Sequence, residues 1–341
     1  MKRSLRLASI DIGTNSTRLL VAECDGTHTQ TLDRRMAITR LGEGVDRTRR
    51  LLPGAIERTA AALRDYRALM DRLRPEGVRA AATSALRDVE SGRDFLSVAE
   101  EIIGKAPEIL SGEEEARISF LGAVSDLSSE DIEMTGPVLV FDIGGGSTEL
   151  IVRVIGNGNP PARKPPPGPI DASPLAGEDS GGGDITLRSV DVGCVRMSER
   201  FLASDPPSPV ALGRMESYIV GRLKSVMEEI VPAGLSLAVG LAGTVTTLSA
   251  INQGLTEYDT KSIHHSRLTR PQVEELFLRL SAVGVEQRKR VMGLEPERAD
   301  IIIGGAAVLR AVMDIAGLDE ILVSEKDILD GLVIDLYRTL T

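Results

Sequence analysis

The stretch Asp142-Ile143-Gly144-Gly145-Gly146-Ser147-Thr148-Glu149-Leu150 contains residue types suited to holding a phosphate chain. An apolar run, Val138 to Phe141, leads into it, and Leu150 to Val154 leads out with β-branched residues. Two strands joined by a tight turn are therefore expected. Glycines let such a turn take positive φ and bring bare backbone N–H groups close to a ligand. Successive N–H groups aimed into one concavity form an anion nest, to which Ser147 and Thr148 add hydroxyl donors. Asp142 places a carboxylate at the mouth. A carboxylate beside a phosphate nest makes chemical sense when a hard cation, usually Mg²⁺ and alternatively Mn²⁺, bridges the two. The plain alternative is a Gly-rich hairpin turn without a ligand, and a lone glycine triplet favours it.

A second stretch changes that balance. Asp11-Ile12-Gly13-Thr14-Asn15-Ser16-Thr17-Arg18-Leu19-Leu20 aligns without gaps on Asp142 to Ile151. Asp11 matches Asp142, Gly13 matches Gly144, and Ser16 matches Ser147. Internal self-similarity fixes architecture, so two related halves are expected, each offering a strand–loop–strand nest to a shared cleft. Asp11 thereby joins Asp142 as a candidate metal ligand, and Ser16 joins Ser147 as a candidate phosphate contact. Further along, the apolar run Leu235 to Leu241 enters Ala242-Gly243-Thr244, a strand-to-helix turn. A helix N-terminus there makes Gly243 and Thr244 a third candidate anion or nucleotide site.

The elements that would position these groups can be read in order. Pro53 opens a helix to about Leu73, with Ala60, Leu63, Arg67 and Met70 on one side. Gly77 to Ala82 reads as a short buried strand with a polar tip, Thr83 to Asp88, where α/β folds place ligand contacts. A helix follows from Ser91 to Lys105. Ser111 and Glu114 have capping-box spacing, so another helix should run from there to about Ser125. Glu113 and Glu114 suit its dipole; Glu115 either lies on a side facing protein or cleft or is a third solvated acid at the helix start. Ser208-Pro209 opens a long helix to about Val231, Pro296 opens one carrying Gly304 to Ala307, and Asp327 to Leu340 forms the last. Gly156 to Asp184, half glycine and proline, reads as a disordered loop inserted in a hairpin. His264 and His265 have no third ligand at metal spacing and read as solvated loop residues.

Bulk properties narrow the function. A chain of 341 residues, 42% hydrophobic and 26% charged, has room for two globular domains. A formal net charge of −10 and scarce aromatics argue against nucleic acid and anionic membrane as partners. Cys24 and Cys194 stand far apart without a CxxC partner, which points to a reducing compartment and no zinc site. No signal peptide or membrane-spanning run is evident, so the expected location is cytoplasmic.

The segments DIGTNST, DIGGGST and GLAGTVTTL, in that order, resemble the phosphate loops of the actin-like ATPase superfamily. Together with AATSALRD, SGEEEAR, DVGCVRMSERF and ERADIIIGGAAVL they resemble the exopolyphosphatase / guanosine pentaphosphate phosphohydrolase (Ppx/GppA) family across the chain, apart from Gly156 to Asp184. The resemblance implies an α/β fold of two actin-like (ribonuclease H-like) domains, mixed sheets flanked by helices, with a cleft between them. Residues 1–130 and 131–325 would form the two domains, and a last helix at about 326–341 would pack back on the first. It further implies Mg²⁺-dependent hydrolysis of phosphoanhydride bonds. The substrates would be inorganic polyphosphate, the 5′-γ-phosphate of guanosine pentaphosphate (pppGpp), or both, and the assembly a homodimer. Glu115 would orient and deprotonate the attacking water, and Arg87 would bind the transferred phosphoryl group. Asn15 and Ser16 would belong to the first phosphate loop, and Asp142, Gly144 to Thr148 and Glu149 to the second, with Glu149 near the water or metal.

A glutamate near a helix N-terminus should have a depressed pKa, so water orientation is expected to outweigh proton abstraction. Longer family members carry additional C-terminal helical domains, and the shorter length here favours short polyphosphates or a nucleotide. Two rivals remain open at this stage: an actin-like kinase or ATPase with an adenosine pocket after Gly243, and a non-catalytic polyphosphate or (p)ppGpp sensor.

Overall fold

The computed structural model describes residues 3–26, 28–89, 92–127, 136–155 and 183–341. The expected insertion, except for residues 183 and 184, and the expected domain boundary at 130/131 lie outside the described residues.

Two mixed sheets form the frame. The first contains β1 (Leu5–Ile12), β2 (Ser16–Cys24), β3 (Thr29–Ile38), β4 (Gly77–Ala82) and β5 (Glu108–Ile109), in the order β3-β2-β1-β4-β5. The second contains β6 (Val138–Ile143), β7 (Thr148–Ile155), β8 (Gly183–Val190), β9 (Leu237–Leu241), β10 (Arg267–Thr269) and β11 (Glu320–Val323), in the order β10-β11-β9-β6-β7-β8. The repeat seen in sequence is a repeat of topology. β1 runs antiparallel to β2 and parallel to β4, as β6 runs antiparallel to β7 and parallel to β9. Every residue of β6 is buried, as a central strand covered on both faces requires, and its sequence is accordingly almost continuously apolar.

The helix Pro53–Leu73 starts on its proline and lays Leu63, Tyr66 and Met70 against the first sheet. Tyr66 fixes that docking by donating its hydroxyl to the Thr17 carbonyl at 2.7 Å. The last helix, Ile328–Leu340, packs Leu329, Val333 and Tyr337 against β1 and β2. Its Leu329 carbonyl accepts from Ser9 Oγ at 2.8 Å, so the end of the chain closes the face of the first lobe.

The helix Gly112–Ala123 touches both sheets. Ile118 packs with Ala81, Ile328 and Leu332 on the first-lobe side, whereas Ala116, Phe120 and Ala123 pack on Val138, Val140 and Ile151 of the second sheet. It meets the last helix at backbone distance: a Cβ on Gly122 would strike the Asp327 carbonyl, and one on Gly331 the Ile118 carbonyl. Only glycine permits that approach.

One helix starts later than the sequence predicts. Pro296–Arg298 forms a single 3₁₀ turn, and the helix proper runs Ile302–Ala316. The Ala299 carbonyl accepts from Arg288 Nε at 2.7 Å and is thereby drawn out of any helical ladder. Among the described residues, no helix is long and apolar enough to cross a membrane.

Candidate active site

The two nests share one turn. Gly13 N–H donates to the Ser16 carbonyl at 3.0 Å, and Gly144 N–H donates to the Ser147 carbonyl at 3.0 Å. The glycines serve a different purpose from the one the sequence suggests. None of Gly13, Gly144, Gly145 or Gly146 has positive φ. Instead the loops interlock: a Cβ on Gly145 would lie 2.8 Å from Thr14 Cβ, and one on Gly146 would strike Ser84 Oγ. What the turn requires here is the absence of a side chain.

Outward aim of the loop N–H groups follows from how the carbonyls are anchored. The helix Cys194–Phe201 offers its first amides to the second loop: Cys194 N–H to the Gly144 carbonyl at 3.0 Å and Val195 N–H to the Gly145 carbonyl at 2.9 Å. With the carbonyls held from behind, the opposite side of the loop faces the cleft. Gly193 is needed for this contact, since a Cβ there would meet the Gly145 carbonyl.

A cavity of about 320 Å³ lies between the lobes. Asp11, Asn15, Ser16, Glu115, Asp142, Gly144 to Ser147, Gly243 and Thr244 all line it, so the structure brings together most of the residues singled out in the sequence. Three others stand behind its wall. Arg87 donates from Nη1 to Glu115 Oε2 at 2.6 Å and to the Leu110 carbonyl at 3.0 Å, with Nη2 3.4 Å from Ser147 Oγ. Glu149 is wholly buried and accepts from Ser189 Oγ at 2.8 Å. Thr148 spends its hydroxyl on the Val192 carbonyl at 2.6 Å, which makes it a strut of the loop and not a phosphate donor.

The electrostatics are those of crowded, desolvated carboxylates. Burial pushes Glu115 up to about 7, outweighing Arg87, which pulls it down. Burial likewise pushes Asp142 up to about 6, against the pull of Arg18. Asp11 is raised by burial, and Glu149 well above its ordinary range by burial and then by Glu115 and Asp142. The depressed pKa expected of Glu115 from its helix position is thus reversed. A helix dipole acts at the level of 0.3–1 kcal/mol or so, less than the cost of desolvating a charge.

Several polar atoms here are buried without hydrogen-bond partners: Asp11 Oδ1, Glu149 Oε2, and both Asn15 Oδ1 and Asn15 Nδ2. Buried polar atoms are ordinarily paired, so a group of orphans around one cleft fits a site built for a ligand. All-oxygen donors on clustered carboxylates fit a hard divalent cation.

Residues that sequence reasoning missed complete the walls. Arg18 binds Asp11 Oδ2 through Nε and Nη2, at 3.0 and 2.7 Å, and also pairs with Asp327. Arg34 binds Asp327 and Asp330 at 2.9 and 3.0 Å. Beyond Gly243 the cavity is lined by Glu295, Arg298, Tyr258 and Glu325. Arg298 is engaged by Glu295 at 2.5 Å, and Tyr258 donates to Glu325. Arg18 lies inside the first repeat and could have been noticed at the position matching Glu149; the others carry no local signal.

His264 and His265 are not the solvated pair expected. They stack with ring centroids 3.8 Å apart and, with Asp126, come within ligand distance of one another. The His264 Nδ1 accepts from the Glu325 amide at 3.1 Å, which assigns the ring proton to Nε2 and directs it to Asp126 Oδ2 at 2.8 Å. A nitrogen donating that proton is not a metal ligand, so the donor set here suits a hydrogen-bond chain.

The chain aligns along its whole length with proteins of known family. The profile described as the Ppx/GppA phosphatase family matches residues 20–340. Exopolyphosphatase 2 of Mycobacterium tuberculosis is 38% identical over 345 residues, covering 97% of this chain and 98% of that protein. A crystal structure described as an exopolyphosphatase-like protein superposes with a TM-score of 0.86 at 31% identity, covering 100% of both chains. The Aquifex aeolicus Ppx/GppA family member superposes with a TM-score of 0.75 at 28% identity, covering 99% of both chains. With its two topologically matched lobes and its cleft of phosphate loops, this chain belongs to the Ppx/GppA phosphatase family.

Proposed function

We propose that the protein is an exopolyphosphatase that hydrolyses the terminal phosphoanhydride bond of inorganic polyphosphate with the help of Mg²⁺ or Mn²⁺. The carrying observation is Glu115, a buried carboxylate pushed up to about 7 that lines the same cavity as both phosphate loops. A base with that pKa is near its optimum for accepting a proton at neutral pH. The relatives named above support the substrate class.

In this reading the terminal phosphate rests on the N–H groups of Gly145 and Gly146, with Ser147 and Asn15 beside it, while the Gly144 N–H closes the turn on the Ser147 carbonyl. Arg87 holds Glu115 Oε2, leaving Oε1 to orient a water on the line of attack and accept its proton. The same guanidinium lies near Ser147 and so can reach the phosphoryl oxygens as negative charge builds on them. Asp142 and Glu149 would hold the metal ion, which when bound neutralises charge on the phosphate oxygens; Asp11, already paired with Arg18, would only flank it. Phosphoryl transfer has a loose, highly charged transition state, so positioning and neutralisation are most of what a protein must supply.

A nucleotide substrate, pppGpp, is favoured as a second reading by the cavity arm beyond Gly243. Glu295 there is held by Arg298 and Glu325 by Tyr258, and this mixed arm of carboxylates, guanidinium and phenol suits the polar edges of a nucleoside better than a run of phosphates. Phosphate release from tripolyphosphate, long-chain polyphosphate, pppGpp and ATP, at fixed Mg²⁺ and with Glu115→Gln as control, tests both readings. Release from tripolyphosphate that vanishes in the control is expected. Release from none of the four, or equal release by the control, contradicts the proposal.

A further inference from the structure

Arg196 stands behind the second phosphate loop, its side chain 7% exposed, and takes no part in the cavity wall. The helix Cys194–Phe201 carries it on the second lobe. Its Nε donates to the Gly146 carbonyl at 2.7 Å, within its own lobe. Its other two nitrogens cross to the first lobe. Nη1 donates to Asp46 Oδ1 at 2.6 Å, on the short helix Val45–Thr48, and Nη2 pairs with the Asp88 carboxylate. Asp46 is also bound by Arg200, at 3.0 Å from Nε, and Asp88 has Arg49 at 3.8 Å. Asp88 directly follows Arg87, the residue that grips Glu115 and approaches Ser147.

A guanidinium is a rigid planar fork, so three acceptors bound to one fork are fixed relative to one another. Here the three are a carbonyl of the phosphate loop and two carboxylates of the opposite lobe. The Gly146 carbonyl, held from behind, keeps the loop N–H groups turned to the cleft. The segment ending in Asp88 is held at the same point, and with it the guanidinium of Arg87.

We propose that Arg196 is an interlobe positioning residue: it sets the second phosphate loop against the Arg87 arm, so turnover depends on it although it touches no substrate. This rests on the hydrolase reading above. A displacement of about 1 Å between groups that meet only in the transition state costs on the order of 10²-fold in rate, with little effect on ground-state binding.

The test uses Arg196→Lys, Asp88→Asn and their combination, with steady-state hydrolysis of tripolyphosphate and amide hydrogen exchange as readouts. Lysine keeps the charge and loses the fork. The expected result for Arg196→Lys is a kcat lower by about 10²-fold with KM changed by less than about 3-fold. Asp88→Asn should lower kcat by roughly 10-fold, and the double variant should be no worse than Arg196→Lys, because both break one linkage. Exchange should quicken together at residues 83–88 and 143–147. Parental kcat in Arg196→Lys, losses that multiply in the double variant, or faster exchange confined to residues 194–201 would each overturn the proposal. Should Arg196→Lys fail to fold, Asp88→Asn decides: parental kcat and unchanged exchange refute it. A parent that releases no phosphate refutes the hydrolase reading instead, and the exchange pattern then judges the linkage alone.

Discussion

The two phosphate loops share a turn and differ at the residue across the strand from their aspartate. In the first loop Asp11 pairs with Arg18; in the second, Asp142 pairs with Glu149. The consequence is a difference in charge at equal geometry. Asp11 is neutralised by a guanidinium that also reaches Asp327, tying the loop to the last helix. Asp142 has a hydroxyl, Ser119 Oγ at 3.1 Å, and faces a second carboxylate. Like charges in a desolvated site stay ionised only if a cation joins them. On the proposed reading the duplicated loop divides its labour: the first copy is a charge-balanced support, and the second is left with a deficit of positive charge that a divalent ion would fill. Glu115 belongs with the second copy, since its helix packs Ala116 and Phe120 on that sheet.

Chemistry concentrated at the second loop makes Glu115→Gln the most damaging substitution. It should lower kcat by roughly 10²–10⁴-fold with little change in KM. Full turnover in that variant would remove the general base from the account. Arg18→Gln should act on the other side of the comparison, as a stability defect. Removing one partner of a buried ion pair costs about 3–5 kcal/mol, read as a lower midpoint in urea. A variant of unchanged stability would show that Asp11 does not need its guanidinium.

A smaller effect should appear on titration of the metal-free protein. Glu115 and Asp142 are raised to about 7 and about 6 by burial, so the native state keeps protons that the unfolded chain has lost. That stabilisation is complete below the ordinary carboxylate range and disappears as pH rises through about 6 and then about 7. The metal-free Tm should be higher near about pH 5 than near about pH 8, and saturating Mg²⁺ should narrow the gap. A metal-free Tm that rises with pH over that range would contradict the burial argument. Gly122→Ala should cost roughly 1–3 kcal/mol, because its Cβ would meet the Asp327 backbone carbonyl and the seam between its helix and the last one would have to open. A Tm lower by several degrees is expected, and an unchanged Tm would mean that the close approach at Asp327 is not required.

Legibility in the sequence followed the range of the interactions. Both loops, their strands and the shared topology were legible because a strand–turn–strand unit is contiguous and the chain carries it twice. The capping box at Ser111 and Glu114 was legible for the same reason, and both of its hydrogen bonds form. What depended on distant partners was not. Asp327 meets Arg18 across more than three hundred residues, and Arg196 meets Asp46 and Asp88 from the other lobe. The sign of the Glu115 shift failed similarly: the dipole of its helix is local, whereas the burial that overrides it is made where the two lobes meet, far apart in sequence. Pro296 is a local helix signal defeated by Arg288, which takes the Ala299 carbonyl. The loop glycines were recognised for the right position and the wrong reason, because interlocking with Thr14 and Ser84 shows only in three dimensions.

The unequal loops can be tested by one titration: the Mg²⁺ concentration giving half-maximal phosphate release from tripolyphosphate, in Asp142→Asn and in Asp11→Asn. If the second loop holds the ion, Asp142→Asn raises that concentration by about 10-fold or more, and Asp11→Asn by less than about 3-fold. Equal shifts, or a larger one in Asp11→Asn, would contradict the account.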